Sequence, residues 1–419
     1  MNGGREGLFF GVWRPKTEQK RLGFLVFGRT LTTRHTKLLM VRCPIRAHIV
    51  SSNWAFSTKR SEMSTTIGFT TKWKNPMMVI LSAALLSAVA IRSFGWVPET
   101  HAELEWLLVV LVVALNAALV NGGTLIGPFG EEKVVWQQMW KQWARWTFGG
   151  VAIRYVILVG ILYQKYGMMA FLYAALAVAS DPLIAFIEDS LNKQKGPQEI
   201  VDTSVKRQES GSNDGLGAPI LKVVLIGIAT GILASITTMI ISLVIALLLG
   251  LFRKALRRLI GGTATTVLST VVVAILALLL EHEGIVFGYL TAWVAGYFSS
   301  GKMSHEEHVV SEELENIATY IIATICFSLL RFETMLDWTA FLATLGIFLG
   351  RWFQAMYEYP GDIRRQLSFA FVGTAGLAVI TGAIIWCRIH DYDSSILEGI
   401  TLWGFIYAIG SLIVSKGKH

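Results

Sequence analysis

The 419 residues are 53% apolar and only 16% charged, with a mean hydropathy of +0.53, values that exclude an ordinary water-soluble domain. The formal charge of +8 is concentrated at one end: residues 1–75 carry 14 Lys and Arg against three Glu, a net of +11, and the remainder is −3. With no folded module around that charge, nucleic-acid binding is excluded, and the scattered Cys43, Cys326 and Cys387 give neither a disulfide framework nor a metal site.

In chain order, residues 1–75 read as a basic, disordered tail or targeting segment. An organelle transit peptide, a cytosolic tail and a start at Met63 all fit its composition. Residues 76–415 form a membrane domain, and 416–419 a short cytoplasmic tail. Apolar runs of about 17–25 residues can each cross the ~30 Å hydrocarbon layer as a helix. The first four predicted spans are Pro76–Phe94, Leu104–Val120, Gly149–Tyr163 and Gly167–Ile187.

The next apolar run, Ala218–Phe252, is too long for one crossing and too short for two. A single helix of that length would reach ~52 Å, beyond the bilayer core. Extending it back to about Val205 gives two spans with a turn near Ala229–Ile232, and places "ESGSNDGLGAP", Glu209–Pro219, inside the fifth. The later spans are Thr263–Leu280, Gly284–Ser300, Ile317–Leu330, Trp338–Tyr357, Leu367–Cys387 and Ile396–Val414, for a total of twelve. With both ends cytoplasmic, the inner loops beyond the tail and the flanks of their helices hold 16 Lys and Arg, including those of Phe252–Leu259, and the outer connections four: Arg92, Lys165, Arg331 and Arg388. That is a strong positive-inside bias; a single span over Ala218–Phe252 would reverse every later loop.

An ionisable group at bilayer depth costs about 2.5–3.5 kcal/mol and calls for a reason. The fourth span contains Asp181 followed by Pro182, which removes a backbone donor and frees carbonyls beside a carboxylate. In the fifth, Ser210 and Asp214 share one helix face, as do Glu209 and Asn213. Hard oxygen ligands at that spacing suit a monovalent cation, and a partly buried carboxylate can hold a proton when the cation leaves. Gly373 and Gly376 interrupt the eleventh span, so spans four and eleven pair as broken helices around a midplane site.

These motifs resemble the monovalent cation:proton antiporters on the sodium/hydrogen exchanger side, closest to the fungal plasma-membrane type. The match rests on "ASDP" (Ala179–Pro182), "ESGSNDGLGAP", the Trp-rich Val134–Gly150 and Glu281–Ser300, in order and spacing from about Val134 to Val414. The resemblance implies an inverted-repeat bundle with two crossed discontinuous helices and a homodimer in the lipid bilayer, exchanging Na+ (or K+, Li+) for H+ without a cofactor. It implies that Asp214 alternates between proton and cation, with Ser210 and the backbone around Ser180 as co-ligands, Asn213 stabilising, and Asp181 at the helix break. The eleventh span departs from the family in carrying Thr374–Ala375 where an Arg would pair with the fifth-span Glu. Arg351 and Arg154 are the candidate substitutes for Glu209, and Arg351 otherwise snorkels. The departure motivates an alternative, a non-transporting member acting as a membrane sensor or interaction protein.

Three further features take plainer readings. Ser304–Glu315, with His305, His308 and five Glu, reads as a solvated acidic loop. Trp136, Trp140, Trp143 and Trp146, at helical spacing, read as an interfacial helix at headgroup level. No phosphate-binding loop, nucleotide fingerprint or catalytic triad is present, so the sequence supports a transporter, not an enzyme.

Overall fold

The computed structural model of the chain describes residues 76–95, 98, 100–127, 140–178, 202, 205, 206, 209, 232–301, 304–371 and 377–416. All of them belong to one of the chain's two compact units, Met1–Val12 with Gly68–His419. Ser180, Asp181, Pro182, Ser210, Asn213, Asp214, Gly373 and Gly376 lie outside the described residues, as do the tails at 1–75 and 417–419.

The described elements are helices throughout: α1 (Pro76–Ser93), α2 (His101–Ile126), α3 (Gly150–Tyr166), α4 (Met169–Ala177), α5 (Ile232–Ile260), α6 (Gly262–His282), α7 (Gly288–Ser299), α8 (His305–Leu329), α9 (Trp338–Glu358), α10 (Ile363–Phe371), α11 (Leu377–Ile389) and α12 (Ser395–Lys416). Among the described residues, four stretches are long and apolar enough to cross a membrane: His101–Thr124, Trp140–Tyr166, Leu233–Ile260 and Gly262–His282. The protein is an all-α membrane protein. The sixth predicted span corresponds to α5.

Local sequence sets several boundaries. Thr100 caps α2: its hydroxyl accepts from the Glu103 N–H while the Glu103 carboxylate accepts from the Thr100 N–H at 3.0 Å. Ser304 and Glu307 build the same reciprocal cap on α8. That cap corrects the expected acidic loop. The stretch from His305 is the first part of a 25-residue helix whose acidic first turn suits the positive end of the helix dipole.

Two groups of helices emerge. In one, α2 packs against α6, α7 and α8, with α1 on α8 and α5 on α7; in the other, α9 packs against α3, α10 and α12, with α4 on α3. α11 packs against both, touching α2 and α8 on one side and α4 and α12 on the other. The α2–α7 contact is a backbone approach through small residues. A Cβ on Gly123 would strike the Trp293 carbonyl oxygen, and one on Gly296 the Val120 carbonyl oxygen.

α7 revises the eighth predicted span. It has 12 residues, about 18 Å at 1.5 Å per residue, short of the ~30 Å core. It starts after an extended Phe287, whose N–H is taken up by the Ser242 hydroxyl at 2.8 Å, and it is buried over Gly288–Gly296. Its apolar character reflects burial among helices, not exposure to lipid. The described residues of the eleventh predicted span belong to α10 and α11, and residues 372–376 between them lie outside the described residues.

Candidate functional site

Glu209, helical and fully buried, lies between α3 and α9. Arg351 of α9 meets it as a two-pronged fork: Nη1 donates to Oε1 at 2.8 Å and Nη2 to Oε2 at 2.7 Å. Arg154 of α3 adds Nη2 to Oε1 at 3.3 Å. All three side chains are at most 1% exposed. The remaining donors are anchored on backbone, Arg351 Nε on the Phe369 carbonyl and Arg154 Nε on the Gly150 carbonyl, both at 3.0 Å. Arg154 Nη1 is buried with no hydrogen-bond partner among the described residues.

Local packing makes room for this cluster. A π-helical turn at Arg145–Gly149 precedes α3, and one residue is thereby added to the turn that presents Trp146 inward, ahead of the buried Arg154 in α3. Gly350 of α9 lets the Arg154 stem pass: a Cβ there would sit 3.2 Å from Arg154 Cγ. Trp146 stacks on Phe369 at 4.8 Å between centroids, and the Arg351 guanidinium lies 5.4 Å from the Trp146 ring. Trp143 and Trp146 of the stripe therefore face the interior and not the headgroups, and Trp136 lies outside the described residues. Trp146 is fully buried and Trp143 nearly so, stacked on Trp293, while Trp140 is exposed.

A polar layer lies beside the cluster. Lys206 donates to the Ser368 hydroxyl at 2.5 Å and sits over Phe369, Asp202 pairs with Arg365, and Arg145 pairs with Glu358 at 2.6 Å. Tyr359 packs beneath Arg365, with Gln142 donating to its phenol oxygen. Burial, reinforced by the Asp202 charge, pushes the Tyr359 phenol above its ordinary range and keeps it protonated.

At the other helix ends Glu398, fully buried, binds Arg331 at 3.0 Å and Arg388 at 3.0 Å and accepts from the Ser394 hydroxyl at 2.7 Å. Arg388 also donates to the Leu329 carbonyl and Arg92 to the Leu330 carbonyl. Arg92, Arg331 and Arg388, three of the four residues assigned from sequence to the outer side, line one cavity of about 650 Å3. The fourth, Lys165, pairs with Asp337 at 2.8 Å, next to Thr334 and Arg331. The residues assigned to one side of the membrane thus gather at one end of the helices.

The structure brings together Glu209, Arg351 and Arg154 from the sequence-derived candidates. Sequence reasoning passed over Lys206, Asp202 and Glu398. Glu398 had a readable signal, a carboxylate inside a predicted span, and the same cost argument that picked out Asp181 applies to it.

No family model matches the sequence, and no curated protein matches it. Among solved structures the chain is similar to the sodium proton antiporter MjNhaP1 from Methanocaldococcus jannaschii, with a TM-score of 0.53 and 15% identity over 81% of this chain and 94% of that one. The two share a fold. The likeness spans nearly all of the antiporter, so the antiporter architecture is that of the whole bundle and not of one helix pair.

Proposed function

We propose that the protein is a secondary antiporter that exchanges Na+, or K+ or Li+, for protons by alternating access, a role in cation and pH homeostasis. The observation that carries this reading is the buried Glu209 clamp inside an antiporter fold, in the residue directly before Ser210 and five before Asp214. Two guanidinium groups converge on one carboxylate and hold the start of "ESGSNDGLGAP" in the interior. Asp214 then serves as the exchanging group: it binds a dehydrated cation with Ser210 and the Ser180 backbone, or a proton, but not both. Asn213 steadies that carboxylate, while Asp181, Pro182, Gly373 and Gly376 belong to the crossed helix breaks. The sequence motifs align the chain with the fungal plasma-membrane branch, as a homodimer in the bilayer with both ends cytoplasmic. The alternative of a non-transporting member is motivated by the departure at Thr374–Ala375; the contacts of Arg351 and Arg154 with Glu209 favour the antiporter reading over it.

The test is cation-driven collapse of a pH gradient in proteoliposomes. Wild type should move protons on addition of Na+ or K+, and Asp214→Asn should not. Absence of exchange by wild type from mildly acidic to alkaline pH overturns the function. Exchange by Asp214→Asn at the wild-type rate overturns the site.

A further inference from the structure

A second charged site lies in the other helix group, at the α5–α6 turn, and it does not rest on ion exchange. α5 ends in a basic run, then turns into α6 through Gly261 and Gly262, both at positive φ (67° and 83°). Lys254, Arg257 and Arg258 line a cavity of about 550 Å3 with Gly262, Ser304 and Glu307. Glu307 is the carboxylate among these, and it is already engaged: it accepts from the Ser304 N–H at 2.8 Å and the Thr266 hydroxyl at 3.1 Å, and reaches Arg257 only at 3.5 Å.

Three observations point to an anion. Arg257 lines the cavity with a side chain only 7% exposed, and its Nε has no hydrogen-bond partner among the described residues, so the cavity wall contains a buried, unsatisfied charged donor. Gly261 caps α6 without a side-chain bond, leaving the N–H groups of a 21-residue helix open at the same place. Beside the cavity, the fully buried Arg253 donates to the hydroxyls of Thr124, Thr270 and Ser299, all neutral acceptors, so that Glu307, already shared with Arg257, is the carboxylate that acts on its charge. Phe252, Leu259 and Ile260, 52%, 83% and 69% exposed, flank the basic residues with an apolar surface.

We propose that this cavity holds the phosphate of an anionic phospholipid headgroup, with the acyl chains lying along Phe252, Leu259 and Ile260. Cationic pockets between helices at a membrane surface recognise such headgroups, and the adjoining apolar side chains favour a lipid over a soluble phosphate.

Lipid binding by the full-length protein, measured by native mass spectrometry from nanodiscs of phosphatidylcholine with or without phosphatidylglycerol, tests the site. The expected result is preferential retention of phosphatidylglycerol, weakened about fivefold by Arg258→Gln. Arg258 is exposed and Arg257–Glu307 stays intact, so thermal unfolding of this variant should match wild type. The charge-matched control Arg364→Gln, an exposed site elsewhere, should leave retention unchanged. Equal retention of both lipids, or equal weakening by Arg258→Gln and Arg364→Gln, overturns the proposal. Millimolar glycerol 3-phosphate should fail to displace the lipid; displacement would assign the cavity to a soluble phosphate and overturn the lipid assignment.

Discussion

Arg351 and Glu209, 142 residues apart in the chain, meet through two parallel hydrogen bonds of 2.8 and 2.7 Å with neither side chain open to solvent. A guanidinium fork is the one cationic side chain that matches a carboxylate in this way. Arg351→Ala would leave the buried carboxylate with the 3.3 Å contact of Arg154, and a loss of about 3–5 kcal/mol is expected. Arg351→Lys keeps the charge but loses the fork and the ring contact with Trp146, so it should also fall clearly below wild type. Thermal unfolding in detergent ranks the variants, and wild-type stability in Arg351→Lys would refute the geometric argument.

The α2–α7 crossing predicts a strong response to one methyl group. Gly296→Ala forces a Cβ onto the Val120 carbonyl, which belongs to helix backbone and cannot swing away. Overpacking of this kind costs about 1–3 kcal/mol. Gly160→Ala, at a helical site with open space around it, should be neutral or slightly stabilising. The difference between the two melting temperatures is the measurement.

Glu307 gives a pH dependence whose sign can be worked out. Burial raises its affinity for a proton, but the Ser304 N–H, the Arg257 charge and the Thr266 hydroxyl outweigh that and hold the carboxyl below its ordinary 4.5. A carboxyl lowered by folding stabilises fully above its unfolded pKa and stops doing so as pH falls through the folded one. Glu307→Gln should therefore be less stable than wild type at neutral pH, and the gap should close in acid. A gap that widens on acidification contradicts the assignment.

Glu398 should tolerate substitution less than either of its cations. It is fully buried and serves Arg331, Arg388 and Ser394 at once, whereas the Arg331 side chain is 43% exposed and can turn to water. Glu398→Gln is expected to cost about 3 kcal/mol and Arg331→Gln far less. Chemical unfolding of the two variants side by side decides the order.

Helix positions were legible because burial in lipid or protein selects the same apolar runs. The meaning of an apolar run was not legible: α7 looked like a span because a helix packed on all sides has the composition of one facing lipid. The Trp stripe failed for a related reason. Its period specifies a helix, but what the stripe faces is decided by Phe369 and Trp293, which are distant in sequence. The α8 start was misread despite a readable signal, since Ser304 followed three residues later by Glu307 is a helix-start pattern. For Glu209, both candidate partners could be named, but a fork from one arginine and a side contact from the other depend on backbone geometry that spacing does not encode.

α11 has a mechanical consequence. This thirteen-residue shaft, about 20 Å long, is buried from Leu377 to Cys387 and presents mostly aliphatic and small side chains to the helix groups on its two flanks. Such a surface resists sliding through dispersion forces, which have no preferred direction and re-form after each small step. At its end Arg388 acts as a catch, holding the Leu329 carbonyl at 2.6 Å and Glu398 at 3.0 Å. Along α11 the contact between the two groups is therefore apolar and non-directional, and at its end Arg388 ties the α8 end to Glu398 of α12 through directional polar bonds.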